Sequence, residues 1–499
     1  MTVPPRTPVL VGAAAIQQHE GAEGDEAVDL MIEAVRRAGR DSGNPALPER
    51  ADLVAVPRGS WGYADPARQV AAAVGANART VLAQLGVLQQ TLLTRACAAI
   101  AAGQADVIAV CGGEARDRSR LIARSGQTDR ERAAAGPPPD DVLVPHGDII
   151  DPLELQCGLA VPAHQYATME NALRAADRQS LPAHADAIAG LWAGFNRIAV
   201  SNPDAWSRTP VAPDELSQPS QRNRMIAFPY NRLHVSQWNV NQAAALIFAS
   251  AEAAERLEIG PDRWVFPLAA AESNAMIPLV RRSDLHRCPG VAAAGKRALE
   301  LGGVGLDDIR YIDLYSCFPV AVRIQARELG LTDDRDERPL TVTGGMTFAG
   351  GPLNNYVLQA SVKMAELLRA ATPEGPRSAT LGLVSAVSGM LTKQAVALWS
   401  NRPPQSPGGF AQADVSEETE HRTLTCPITP GYSGSATVGS YTVTGGPDGT
   451  QRCIAVADLP DGSRTVATSG DEHLARDMMT GEWCGRPIDI RAGTIQPLT

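Results

Sequence analysis

The chain has 499 residues, 44% hydrophobic and 20% charged, with a formal net charge of −10. This composition excludes a disordered polypeptide, and the acidic balance argues against a nucleic-acid partner, whose phosphates require a basic face. Single cores seldom exceed about 250–300 residues, so more than one domain is expected.

Taken in order, Pro8–Ala14 predicts a buried strand, and Val28, Met31, Ile32 and Val35 recur at the period of an amphipathic helix. Asp52–Val56 reads as the next strand, and the Ala/Leu-rich stretch Arg79–Ala102 as a long helix starting near Gln84–Gly86. Ala105–Val110 is a strand broken by Gly112-Gly113. From Glu114 to about Arg232 the composition turns to Pro, Arg and Asp, with helices around Ala167–Ala176 and Ala183–Ala193, as in an insertion carried on a sheet. Strands resume at Val240–Ser250 and Trp264–Ala271.

The second half repeats the order of the first. Val291–Leu301 is a helix, Ile309–Leu314 a strand and Pro319–Leu329 a helix; a helix bearing Leu358, Val362 and Ala365 precedes strands Ala379–Ser385 and Gln394–Trp399. Asn401–Glu420 has linker composition. Beyond it, Ala436–Thr444, Arg452–Asp458 and Ser463–Ala467 are β-rich with Gly-Gly and Asp-Gly turn signals, which predicts a small barrel of the OB kind. No signal peptide and no apolar run of about 18 residues is found, so no membrane span is expected. The 8 cysteines lack C-x-x-C spacing, which fits a reduced, cytoplasmic protein and offers no metal signature.

The run Tyr311–Leu314 delivers Tyr315-Ser316-Cys317 at its carboxyl end, followed by the Gly-rich loop Gly344–Pro352. Ligands of open α/β sheets lie outside such strand ends, so a site is expected there.

Five collinear blocks over roughly residues 5–400 resemble the thiolase superfamily. They are Ala83–Gly86 with Gly103–Glu114, Asn239–Ala245, Leu306–Phe318, Gly344–Leu353 and Leu383–Met390. The block ending at Phe318 is most similar to the sterol-carrier-type thiolases. The resemblance implies an α/β fold of two βαβ-type halves in αβαβα layers, with a loop-domain insertion and an extra all-β domain. Its implied boundaries are 1–114 and 233–270 for the first half, 115–232 for the insertion, 271–403 for the second half, 404–420 for a linker and 421–499 for the OB-like domain.

The family's catalytic residues do not carry over. Its nucleophilic cysteine, placed at a helix N-terminus where thiolate is favoured, falls on Gly86. Its activating histidine falls on Gly351, and its second cysteine on Ser385, whose hydroxyl is too weak an acid to replace a thiol. Cys317 matches the thiol of the sterol-carrier-type block, with Tyr315 and Ser316 replacing His and Asp; it is read either as part of a site or as a small core hydrophobe.

The candidate catalytic residues are therefore Cys317, Tyr315 and Tyr356, the last read also as simple packing. Arg222, Arg224, Asn354, Asn355 and Ser385 are candidates for substrate binding, the asparagines alternatively forming a turn. Lys393 is read as exposed or capping, and His146, His234 and His286 as structural or surface residues.

The resemblance implies CoA or acyl-CoA as ligand or substrate, with no tightly bound cofactor. The favoured expectation is an acyl-CoA-binding protein of the acyltransferase lineage in lipid metabolism that has lost cysteine-dependent thiolysis. Two others stay open. One is a retro-aldolase acting on hydroxyacyl-CoA thioesters, as some cysteine-less thiolase-like proteins do together with an OB-fold partner, with Tyr315 and Tyr356 as acid and base if a neighbouring charge lowers a phenol pKa. The other is a non-enzymatic assembly subunit. Either a monomer or a homodimer is expected.

Overall fold

The computed structural model describes residues 3–126, 136–331, 337–372, 379–404, 409–445 and 450–496. Parts of the expected insertion (127–135), linker (405–408) and first tail turn (446–449) lie outside the described residues.

The first half supplies strands β1 (Pro8–Gln17), β2 (Leu53–Pro57), β3 (Arg79–Ala83), β4 (Val107–Ala115) and β5 (Asp141–Leu143). The insertion adds a short hairpin, β6 (Met225–Ala227) and β7 (Tyr230–Asn231), before β8 (Asn241–Ser250) returns to the sheet. The order is β1-β8-β4-β2-β3-β5. The second half contributes β9 (Phe266–Ser273), β10 (Ile309–Asp313), β11 (Leu381–Ser388), β12 (Lys393–Ser400) and β13 (Ala411–Asp414), ordered β10-β11-β12-β9-β13.

The duplication is explicit in these pairings. β2-β4-β8-β1 and β10-β11-β12-β9 each run parallel, then antiparallel, then antiparallel. Alternation along β8 shows why both faces are apolar. Ala244, Leu246 and Phe248 join a core with Leu92 and Leu93 of helix Gln89–Ala101 and Val357 and Val362 of helix Tyr356–Ala370. Ala243, Ala245 and Ile247 face a second core that includes helix Ala27–Asp41. Two helices thus lie between two sheets, with further helices outside.

Three local expectations are corrected. Arg79–Ala83 is a strand, not helix: its Thr-Val-Leu core lies between parallel β2 and β5, and the helix starts at Gln89, past the turn at Gly86. β4 runs through Gly112 and Gly113 without a break. A Cβ at Gly112 would lie 2.6 Å from Asn355 Oδ1, and one at Gly113 2.8 Å from Ala243 Cβ, so both glycines serve close approach. The stretch read as a linker carries β13, parallel to β9, and helix Ser416–Arg422; this edge strand buries only part of one face and so shows little hydrophobic signal.

The tail forms β14 (Gly434–Gly445), β15 (Gln451–Asp458), β16 (Arg464–Ser469), β17 (Pro487–Arg491) and β18 (Thr494–Ile495), with helix Glu472–Thr480 after the third strand. Pairings β14–β15, β15–β16, β16–β18, β18–β17 and β17–β14 close a barrel around Val438, Tyr441, Val443, Cys453 and Trp483. The barrel docks on the insertion. β14 continues into the hairpin through Thr444 and Ala227, Ser440 Oγ donates to the Thr168 carbonyl at 2.6 Å, and buried Arg174 pairs with Glu482.

Candidate functional site

β10 ends on Asp313, a fully buried carboxylate. Its Oδ2 accepts from Thr341 Oγ1 (2.9 Å), Val342 N (2.9 Å), Thr343 N (3.1 Å) and Thr343 Oγ1 (3.1 Å), and its Oδ1 from Tyr356 Oη at 2.9 Å. Burial pushes the Asp313 carboxyl up, and these donors oppose that shift. Burial, followed by the Asp313 charge, pushes the Tyr356 phenol well above its ordinary value. Tyr315 stands edge-on to Tyr356 with ring centroids 5.6 Å apart, and burial raises its phenol too. The condition for a tyrosine base is therefore not met: the charge beside Tyr356 is negative and disfavours phenolate.

Ser385 donates to Gln325 Oε1 at 2.6 Å and accepts from the Tyr315 amide at 2.9 Å, tying β11 to helix Pro319–Leu329. Ser316 Oγ accepts from Met346 N at 3.0 Å, fixing the Gly-rich loop against the strand end. Cys317 is 9% exposed and Tyr315 8%, and both belong to the core shared with Tyr356 and Met346. Burial pushes the Cys317 thiol up to about 12, far from the thiolate range of a nucleophile.

The two positions that the resemblance assigns to Cys and His are closely approached by neighbours. Gly86 has φ +96°, and a Cβ there would lie 3.0 Å from Pro145 and 3.3 Å from Ile149. A Cβ at Gly351 would lie 3.2 Å from Met346 Cε and from Ser236 Cβ. Beside them the central helices meet: Gln89 Oε1 accepts from Val357 N at 2.7 Å, so both positive helix ends converge here. Asn355 is buried with neither side-chain polar atom hydrogen-bonded, and Asn354 Nδ2 also lacks a partner. Arg222 and Arg224 are exposed on the insertion, and among the described residues no side-chain hydrogen bond or ion pair engages either one. The structure does not join them to the Asp313–Tyr356 cluster.

Of the two readings of Lys393, exposed or capping, exposure is corrected: the residue is buried, its Nζ donating to the Gly86 carbonyl at 3.0 Å. His234 is buried, accepts from Asn231 N and is held by burial at about 4, consistent with a structural role. Sequence reasoning missed Asp313, whose signal was an acidic residue inside the apolar run Tyr311–Leu314, and Thr341 and Thr343, which flank the Gly-rich loop. Among the described residues no group of three or more His, Cys, Asp or Glu could hold a metal ion, and no helix is long and apolar enough to cross a membrane.

Two duplicated layered halves, paired central helices and a strand-end site define a thiolase fold. Residues 415–494 match the family described as thiolase-like protein type 1 additional C-terminal domain. Over 99% of its length the chain is similar, at 30% identity and a TM-score of 0.81, to all of a monomeric SCP2-thiolase-like protein type 1 from Mycobacterium smegmatis. The chain belongs to that SCP2-thiolase-like type 1 family of the thiolase superfamily. Its fold is also that of an Ltp2–ChsH2(DUF35) aldolase (20% identity, TM-score 0.59, 80% of this chain and 99% of that one). The same holds for the acetyl-CoA acetyltransferase of Syntrophomonas wolfei (16%, 0.56, 79% and 98%). Among curated protein sequences none matches.

Proposed function

We propose that the chain binds an acyl-CoA-type thioester, as a protein of the acyltransferase lineage in lipid metabolism, without the cysteine chemistry of thiolases. The observation that carries the loss of cysteine chemistry is Gly86, where φ is +96° and a Cβ would lie a tight 3.0 Å from Pro145 and 3.3 Å from Ile149. The converging helix N-termini suit a polarised thioester oxygen, and the orphaned Asn355 amide supplies further hydrogen-bonding capacity. Unpartnered Arg222 and Arg224 fit the phosphates of CoA. The test is paired: calorimetric titration with CoA, and an assay with acetoacetyl-CoA plus CoA. Binding without turnover is expected; thiolysis at ordinary enzyme rates, or no binding, refutes the reading.

The retro-aldol alternative keeps the support of a β-barrel in cis but loses its tyrosine base, since burial raises both phenols. The assembly reading meets a barrel whose β14 is already engaged by helix Pro162–Ala176 and the hairpin of its own chain. We also read the chain as a monomer, because β5 covers the outer edge of β3 and is itself only three residues long. Light scattering should return one chain mass, and a stable dimer would contradict this.

A further inference from the structure

We propose that Lys393 is a carbonyl-reactive amine, placed to condense with the ketone or aldehyde group of a ligand entering at segment 144–150. Lys393 opens β12, pairs with Ser388 of β11 and is 1% exposed. Its Nζ donates to the Gly86 carbonyl, and among the described residues no carboxylate lies within ion-pair distance. The chain's other two lysines are different: Lys296 pairs with Glu300 and Lys363 with Glu366. A buried ammonium without a counter-charge is costly, and the usual relief is loss of its proton.

The Gly86 carbonyl that Lys393 meets lies three residues ahead of helix Gln89–Ala101, and the N-terminus of helix Tyr356–Ala370 meets that helix through the Val357–Gln89 bond. Burial lowers the Lys393 pKa. A neutral lysine in such surroundings is a nucleophile. Over Gly86 lie Pro145 and Ile149, with His146, Gly147 and Asp148 between them exposed to solvent, so the cover is a short surface segment.

In the proposed step the amine lone pair adds to the carbonyl carbon and the carbonyl π pair moves to oxygen, which takes a proton from the nitrogen. The second nitrogen proton and the hydroxyl then leave as water, giving an imine with no change of oxidation state. This goes beyond thioester binding and does not depend on it.

The test uses the full chain and pentane-2,4-dione near neutral pH, with each lysine peptide quantified by mass spectrometry. Lys296 and Lys363 are internal standards. The expected result is an adduct of diketone less water on Lys393, forming faster than on Lys296 because a lowered amine pKa raises the neutral fraction. Labelling of Lys296 ahead of Lys393 overturns the proposal. Lys393→Met should lose that adduct, whereas an undiminished yield in the variant overturns it; should the variant not fold, the wild-type ratio decides alone. A Lys393 adduct in protein that fails to bind CoA would sink the thioester reading and leave this one standing.

Discussion

The Tyr356 hydroxyl donates to Asp313 Oδ1 at 2.9 Å and lies 2.7 Å from Thr343 Oγ1, so the first residue of a central helix is locked to the last residue of β10. This lock, not a free acid or base, is the arrangement at the strand end. Tyr356→Phe should destabilise the protein by about 1–3 kcal/mol, the cost of leaving a buried acceptor short of one donor. The sign with pH follows from Asp313. Its folded pKa is raised, so its favourable contribution is present at low pH and is lost as pH rises through the folded value. Removing a donor raises that value further, so the deficit should grow with pH. Urea denaturation at acid and alkaline pH measures it; an equal deficit at both would count against an ionisable Asp313 as the partner.

Restoring the family's nucleophile should not restore its chemistry. Gly86→Cys places a Cβ 3.0 Å from Pro145 at φ +96°, which L-residues rarely adopt. A loss of about 1–3 kcal/mol is expected from the backbone strain. Neither this variant nor the double variant with Gly351→His should turn over acetoacetyl-CoA. Turnover by either would mean that Pro145 and Met346 yield more easily than their contacts imply.

Cys317 should behave as a core thiol. With its pKa pushed up to about 12 and 9% exposure, it holds almost no thiolate near neutral pH. Iodoacetamide should label half-buried Cys426 at least about tenfold faster, as read by peptide mass spectrometry. Cys317 reacting first would return it to the list of candidate nucleophiles.

Glu170 should govern acid stability. It is buried on helix Pro162–Ala176 and bonded to Tyr230 Oη and to Arg323 of helix Pro319–Leu329, which joins the insertion to the wall of the site. Burial pushes its carboxyl up, but His184, Arg323 and Tyr230 outweigh that and hold it at about 2, against 4.5 ordinarily. A depressed carboxylate stabilises above the ordinary value and loses that contribution as pH falls toward about 2. Glu170→Gln should cost about 3–5 kcal/mol at neutral pH and flatten the wild-type decline in urea midpoint below pH 4.5. An unchanged acid profile would show that other carboxylates carry the transition.

Much of the fold was legible because apolar periodicity is a local signal. The helix bearing Val28, Met31, Ile32 and Val35, the two strands that follow the insertion, and the barrel strands all announced themselves this way. The failures share a cause. β3 looks helical because a helix-forming sequence follows it directly, and β13 is an edge strand that gains its identity only from pairing with β9. The glycines of β4 look like breakers until Asn355 and Ala243 are seen against them.

The sequence by itself determined the duplicated halves, the glycines at 86 and 351 where the resemblance would put a thiol and an imidazole, and the polar triplet after β10. These depend on residue identity and order along the chain. Only the tertiary structure decided what each polar group faces. Asp313 and Tyr356 are 43 residues apart, and Lys393 and Gly86 are 307 apart. Pattern specifies which faces are buried, but packing of distant elements fixes which buried groups meet and therefore their charge. For that reason Tyr356 changed from candidate acid or base to a lock on Asp313, and Lys393, read as exposed or capping, became a buried amine on the Gly86 carbonyl.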